Sequence, residues 1–147
     1  MAYTNAISSY KETRVKTASQ GQLIIMLYEE AVKHLDRGLE LLAVNTAGKK
    51  DPGNIEKISN SILKAQEIVT ELTVSLDFEQ GGDIAKNLFS LYTWFNRELL
   101  QANITHDIFR ITSVRNQLNE LKSAWAEIVA KNTENAGKVV TGVNIAG

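Results

Sequence analysis

The sequence predicts an all-α protein: an antiparallel up-down-up-down bundle of four helices, with a flexible segment at each end. Apolar residues recur at steps of three and four along four segments, which is the period of one buried helix face. No stretch alternates between polar and apolar residues over a useful length, so strands are not expected. Short connections join the four segments, as in antiparallel bundles. We therefore divide the chain into a flexible N-terminal segment (1–16), a four-helix bundle (17–131) and a loose C-terminal tail (132–147).

The first helix is predicted to begin at Thr17 and to end at about Val44. Thr17 and Gln20 match the Thr-x-x-Gln capping box, in which each side chain bonds a backbone N–H group of the first turn. The segment NTAGKKDPGN, which follows Val44, is rich in turn formers and ends the helix. The expected core-facing seam consists of Leu23, Leu27, Ala31, Leu35, Gly38 and Leu42.

The second helix is predicted to begin near Asp51 or Asn54, because Pro52 is tolerated in a first helical turn. Its apolar steps alternate between three and four, as in a seam that packs against neighbouring antiparallel helices. This seam consists of Ile55, Ile58, Ile62, Ala65, Val69, Leu72 and Leu76.

The third and fourth helices are predicted over about Asp83 to Ala102 and about Thr105 to Lys131. The expected inward residues of the third are Ile84, Leu88, Leu91, Phe95 and Leu99. Those of the fourth are Ile108, Ile111, Val114, Leu118, Leu121, Trp125 and Ile128. The remaining residues are small and glycine-spaced without a sustained period, which is why we expect a loose tail.

Composition excludes several classes of function. The chain has 147 residues, 44% apolar and 22% charged, which is typical of one globular domain. Because there is no cysteine, a disulfide framework, a thiolate metal site and a cysteine nucleophile are excluded. The net charge of −1 provides no basic field for nucleic acid. The N-terminus lacks the apolar core of a signal peptide, and no run reaches membrane-spanning length, so a cytoplasmic location without membrane insertion is expected.

The paired glycines in LDFEQGGDIAKNLFSLY raise the question of a phosphate-binding loop. A P-loop needs a lysine and a preceding strand, but here Gly81 and Gly82 follow a helix between Glu79 and Asp83, whose charges repel an anion. We instead predict that one of the two glycines takes positive φ where the chain leaves the second helix. Asp83 is then expected to cap the third helix.

No metal site or catalytic group is predicted. Glu30 and His34 share a helix face, but the chain has no Glu-x-x-His pair of the kind that di-iron bundles use. His106 lies at the expected start of the fourth helix, where a polar residue needs no further explanation. There is no Gly-x-Ser-x-Gly elbow. We therefore expect no cofactor and no enzymatic activity.

The first and third helices carry more apolar surface than one core stripe requires. Apolar residues of the first helix span roughly 200° around its axis, and two apolar residues of the third lie off its inward seam. Either neighbouring helices cover these residues, or they form a groove that receives apolar helices of a partner. Ile7 and Tyr10, in the polar N-terminal segment, are able to dock on the same surface. The candidate partner-binding residues are thus Ile7, Tyr10, Ile24, Ile25, Tyr28, Val32, Phe89 and Leu100.

Two stretches of this chain resemble the flagellar secretion chaperone family, FliS. These are TASQGQLIIMLYEEAV (17–32) and SLDFEQGGDIAKNLFSLYTWFNRELLQAN (75–103). The second is the more specific, with its Leu-Asp pair, double glycine, Ile-Ala-x-Asn-Leu and closing Ala-Asn in the order of the family. With Tyr10 upstream and the helix of Trp125 downstream, the resemblance extends to about Lys131. The chain departs from the usual pattern at Gln20, where many members have proline, and at Glu30, where glycine is common.

The resemblance implies a four-helix bundle that binds the disordered C-terminal segment of flagellin in the bacterial cytoplasm. Such a chaperone prevents premature polymerisation and accompanies its client to the flagellar export apparatus, so a component of the export gate is a second expected partner. Two other classes stay open: a self-associating structural bundle, with a weak homodimer as its simplest form, and an enzyme whose site the sequence does not reveal.

Overall fold

The computed structural model describes residues 19–46 and 51–139, with side chains up to residue 132. It contains the helices α1 (Gln20–Thr46), α2 (Pro52–Val74), α3 (Phe78–Thr105) and α4 (Ile108–Val139). No strand occurs within these two ranges. The prediction of an all-α protein with four helices is therefore confirmed. The proposed N-terminal segment, and the tail from residue 140 onward, lie outside the described residues.

The first two helices begin at side chains that cap them. Ser19 and Gln22 form a reciprocal capping box: Ser19 Oγ accepts from the Gln22 N–H at 3.2 Å, and Gln22 Oε1 accepts from the Ser19 N–H at 3.1 Å. The box lies two residues after the predicted one at Thr17, which is outside the described range. Helix α2 begins at Pro52, in agreement with a predicted start near Asp51 or Asn54. Asp51 caps it, since its side chain accepts from the Gly53 N–H at 2.9 Å.

Helix α4 begins later and ends later than predicted. Asp107 accepts from the backbone N–H groups of Phe109 and Arg110, so the helix begins at Ile108 rather than at Thr105. It continues to Val139, eight residues past Lys131. The segment after Lys131 lacks an apolar period, but it contains helix-forming Ala, Glu and Lys residues. A repeated apolar spacing indicates a buried helix face. Residues 132–139 show that a helix can continue where this spacing is absent.

The four helices enclose one core, in which each helix packs against two neighbours: α1 against α2 and α4, and α3 against α2 and α4. Helices α1 and α4 run antiparallel, because Gly21 approaches Val129 at one end of the pair and Asp36 binds Arg115 farther along. The largest fully buried side chains come from all four helices: Tyr28, Tyr92, Phe95, Leu35, Ile58, Ile62, Ile68, Leu72, Leu99, Ile111, Leu118 and Val69.

Four residues that the sequence assigned to the core-facing seams are exposed instead. They are Ile55, Ile84, Ile108 and Ile128. The first three lie in the first turns of regular helix in α2, α3 and α4, and Ile128 lies near the end of the bundle. At these positions fewer neighbouring helices remain to cover a side chain. The predicted seam residues are buried in the middle of the bundle, but those near its ends are exposed.

Helix α3 contains a break at Gly82. The helix begins at Phe78, because Asp77 accepts from the N–H groups of Glu79 and Gln80 at 3.0 Å each. It is interrupted at Gly82, whose φ of 50° and ψ of −124° are not helical. The prediction of positive φ is confirmed for Gly82. The prediction that Asp83 caps the helix is wrong, since the cap is Asp77, six residues earlier.

Replacing Gly82 with valine is expected to lower the free energy of unfolding by about 1–3 kcal/mol, because a β-branched residue is strained at this φ and ψ. Steric space is not the cause, since an added Cβ would meet no atom within 4 Å. Urea unfolding measures the effect. Ser90→Val, at an exposed helical site of the same helix, controls for the introduction of a β-branched residue where φ and ψ are helical. Equal losses in the two variants would contradict the account of the break.

Candidate functional site

An open groove of about 830 Å³ lies at one end of the bundle. Its walls come from the start of α1, the α2–α3 connection, the start of α3 and the last part of α4. We call it the end groove. Its apolar lining consists of Ile24, Leu72, Leu76, Ile84, Ala85, Leu88, Tyr92, Trp125, Ile128 and Val129. Among the described residues, Asp77 is the one formally charged side chain in the lining, so the groove suits an apolar ligand rather than an anion.

Small residues and a broken helix shape this end of the bundle. A Cβ at Gly21 would lie 2.6 Å from Val129 Cγ2, so glycine permits the close approach of α1 and α4. A Cβ at Gly81 would lie 2.8 Å from the Cβ of Ala85. Two residues past the break at Gly82, Ile84 stands 71% exposed in the groove wall. The glycine pair therefore contributes to the shape of the groove, through the close contact at Gly81 and the break at Gly82.

The side of the groove nearest the core contains a buried polar contact. The hydroxyl groups of Tyr28 and Tyr92 hydrogen-bond to each other, with Tyr92 also lining the groove. Burial raises the pKa of both tyrosines above the ordinary value. Both hydroxyls are therefore protonated at neutral pH. Trp125, another lining residue, opposes part of that rise in the pKa of Tyr28.

The structure assigns the predicted binding residues of α1 to different environments. Ile24 lines the end groove and Ile25 is half-buried. Tyr28 and Val32 are buried in the core, which contradicts the interpretation of their side chains as surplus surface. Helix α1 packs against α2 and α4, and Tyr28 and Val32, which belong to its wide apolar arc, are buried in the bundle. Neighbouring helices thus cover much of the arc, which was one of the two alternatives.

Phe89 and Leu100 lie on a separate surface. Both are about half exposed, at 46% and 50%, and neither lines the end groove. They share one face of α3 with Thr93, and the ring centroid of Phe89 lies 6.0 Å from that of Phe78. We call these four residues the outer α3 surface. The structure does not bring them together with Ile24, while Ile7 and Tyr10 lie outside the described residues.

Sequence reasoning missed most of the groove. Leu76, Ile84 and Ile128 were assigned to core seams, because a helical period does not distinguish a core residue from one at an open end. The sequence feature that could have distinguished these residues is their position along the predicted helices. All three lie close to a predicted helix end, and the glycine pair lies beside two of them.

The polar groups elsewhere do not assemble into a metal site. His34 lies 3.6 Å from Glu30 on α1, and its pKa is lowered mainly by burial. Within the described residues no three His, Asp or Glu side chains lie close enough together to hold a metal ion. In the same part of the chain, no helix is both long and apolar enough to cross a bilayer.

Comparison with known proteins identifies similar chains. A family model described as "Flagellar protein FliS" matches residues 3–132. The flagellar secretion chaperone FliS of Salmonella typhimurium is 36% identical over 121 residues, covering 82% of this chain and 84% of that protein. FliS of Bacillus subtilis is 25% identical over 129 residues, covering 88% of this chain and 90% of that protein. A crystal structure of a bacterial flagellar chaperone has a similar fold, with a TM-score of 0.66 at 19% identity, covering 87% of this chain and 98% of that one.

Proposed function

This chain belongs to the FliS family of flagellar proteins, and we propose that it is a cytoplasmic export chaperone that binds the disordered C-terminal segment of flagellin. Its relatives from several bacteria are named flagellar secretion chaperones. The proposal goes further by naming the client and its binding site. The observation that carries it is the end groove, an open surface with a largely apolar lining at one end of the bundle.

The size and chemistry of the end groove suit an apolar helical segment. A helical turn with its side chains occupies roughly 400 Å³, from a diameter of about 10 Å and a pitch of 5.4 Å. A groove of about 830 Å³ therefore admits one to two turns of a client helix. Among the described residues that line it, there is no lysine or arginine to attract a phosphate group. This favours the helix-in-groove mode of binding, in which apolar side chains of the client provide the contacts.

Binding in this mode explains how a chaperone works without nucleotide. Flagellin termini that form helices in the filament have apolar stripes that are uncovered before assembly. A chaperone that buries part of such a stripe blocks self-association by occupancy alone. A disordered client pays ordering entropy when it binds, which keeps the affinity below what the buried area suggests. Release to a component of the export gate, the second proposed partner, is therefore feasible.

A polymerisation assay tests this function. Filaments that grow from seeds in a solution of purified flagellin should stop growing when this protein is added in an amount equimolar to the flagellin. Flagellin that lacks its C-terminal segment serves as the control for binding. It should not elute in a complex with this protein from a sizing column. Unimpeded filament growth would contradict the proposal. Concentration-dependent association of the chain alone would instead favour the alternative of a self-associating bundle.

Deleting residues 1–12 is expected to tighten flagellin binding by about 5- to 30-fold, that is, by no more than about tenfold per 1.4 kcal/mol of docking energy removed. The segment contains Ile7 and Tyr10, which we propose to dock on part of the client surface in the free protein. Burying two such side chains contributes roughly 1.5–3 kcal/mol each at most, from which the ordering entropy of the segment is subtracted. A net docking energy of about 1–2 kcal/mol remains, and removing it strengthens client binding accordingly.

Titration calorimetry of the full-length and shortened chains with the same flagellin segment measures the effect of this deletion. Replacing Ile7 and Tyr10 together with serine, at full length, controls for the loss of chain length. Weaker binding by the shortened chain would mean that the two residues contact the client directly.

A further inference from the structure

Helix α4 extends beyond the end groove. Gly21, in the first turn of α1, lies against Val129, since a Cβ at Gly21 would lie 2.6 Å from Val129 Cγ2. From Val129, α4 continues to Val139, roughly 15 Å farther at 1.5 Å per residue. The part of α4 that lines the groove, from Trp125 to Asn132, therefore lies just before the point where the described chain ends.

The residues that follow α4 are suited to an apolar site. Residues 140–147, VTGVNIAG, contain three branched aliphatic residues and no charged residue. In an extended chain, side chains two apart lie on the same face, so Val143 and Ile145 can contact one surface together. The described lining of the end groove offers such a surface, with Asp77 as its one charged side chain. An uncharged segment can enter the groove without burying a charge.

The groove is within reach of this segment. Ile145 is six residues past Val139, so it reaches up to about 20 Å from Val139 when the chain is extended. Asn132 lies roughly 10 Å back along α4 and Val129 roughly 15 Å, which leaves length for the reversal of the chain. Because the segment belongs to the same chain, its effective concentration at the groove is on the order of millimolar. Weak apolar contacts are then enough to hold it there.

We propose that residues 140–147 fold back along α4 and place Val143 and Ile145 in the end groove of the free protein, and that a client segment displaces them. The displacement rests on the proposed function, because it requires a client in the groove, whereas the fold-back does not. The segment is thus an intramolecular competitor of the client. It covers exposed apolar surface while no client is bound, and it lowers the apparent affinity for any client that must displace it.

A spin label tests the fold-back without a client. The chain has no cysteine, so Asn144→Cys provides a single labelling site between the two aliphatic residues. A nitroxide at this site should broaden the NMR signal of the Trp125 indole N–H, since Trp125 lines the groove. The indole of Trp94, which is not a lining residue, is the internal reference. Adding Val143→Asp and Ile145→Asp to the labelled chain should remove most of the broadening, because the carboxylates oppose burial in the groove.

Client affinity tests the displacement. Ending the chain at Val139 should tighten binding of a synthetic flagellin C-terminal segment about 3- to 10-fold, the value of two partly buried aliphatic side chains after the ordering entropy is subtracted. Val143→Asp with Ile145→Asp should have the same effect. Asn144→Asp with Ala146→Asp is the matched control, because it adds equal charge on the opposite face of the extended segment. It should change the affinity by less than about twofold.

Residues 1–12 are kept in every variant, so the effect of the N-terminal segment stays constant. Unchanged or weaker binding by the shortened chain would overturn the inference, as would broadening at Trp125 that the two aspartates do not reduce. If neither the wild type nor any variant binds the flagellin segment, the proposed function itself fails. The spin label still decides in that case whether residues 140–147 occupy the end groove.

Discussion

Ile84→Asp is expected to abolish detectable flagellin binding while leaving the bundle folded. Ile84 is 71% exposed, so the substitution removes little packing from the free protein. In the complex, however, the new carboxylate would be buried against apolar side chains of the client, and the described part of the lining contains no cationic partner for it. Burial of an unpaired charge costs several kcal/mol, and a loss of 3 kcal/mol already corresponds to a roughly 100-fold weaker complex. Titration calorimetry measures the affinity, and circular dichroism monitors the helical content.

Leu100→Asp is the matched control for this variant. Leu100 is 50% exposed on the same helix, but it belongs to the outer α3 surface rather than to the end groove. We expect this variant to bind the client within about threefold of the wild type. The reverse pattern, in which Leu100→Asp loses binding and Ile84→Asp retains it, would move the client to the outer α3 surface. Both Phe89 and Leu100 would then belong to the site, as the sequence suggested.

Phe95→Ala is expected to cause the largest loss of stability among simple truncations, about 3–5 kcal/mol. Phe95 is fully buried, and its ring lies 6.2 Å from that of Tyr92 and 5.8 Å from that of Trp94. Truncation leaves a cavity among rings that cannot collapse freely. For a domain of this size the loss corresponds to a fall of roughly 6–20 °C in melting temperature. Urea and thermal unfolding both measure it.

Phe89→Ala controls for the loss of a phenylalanine from the same helix. Phe89 is 46% exposed, and we expect its truncation to cost less than about 1.5 kcal/mol. Similar losses in the two alanine variants would mean that the inward face of α3 is incorrectly assigned. A small loss in Phe95→Ala alone would have the same meaning.

The middle of the bundle could be predicted from the sequence because its residues are constrained by periodicity. Ile58, Ile62, Val69 and Leu72 follow the three- and four-residue steps of α2 and are buried. Helix α1 was harder, because an apolar arc of roughly 200° fits both a helix with two packing neighbours and a helix with a free binding face. The burial of Val32 shows that packing neighbours, and not a free binding face, cover this part of the arc. Local sequence does not contain that information.

The end groove could not be predicted for a related reason. Leu72 and Leu76 are successive positions of the seam predicted for the second helix, yet Leu72 is buried within α2, whereas Leu76 lies past the end of that helix, at the open end of the bundle. Which seam positions stay open depends on where all four helices stop. The sequence predicted a glycine with positive φ in the pair, but it did not predict that α3 begins at Asp77, before the pair. The start of α3, and with it the exposure of Ile84, follows from tertiary structure.

The central claim, that an apolar segment of flagellin occupies the end groove, is tested most directly by calorimetric titration at several temperatures. The intact chain and Ile84→Asp are each titrated with a synthetic flagellin C-terminal segment. We predict saturable binding by the intact chain, with the negative heat-capacity change that accompanies burial of apolar surface. Ile84→Asp should give no binding. Absence of binding by the intact chain, or equal affinity and heat-capacity change in the two proteins, would contradict the claim.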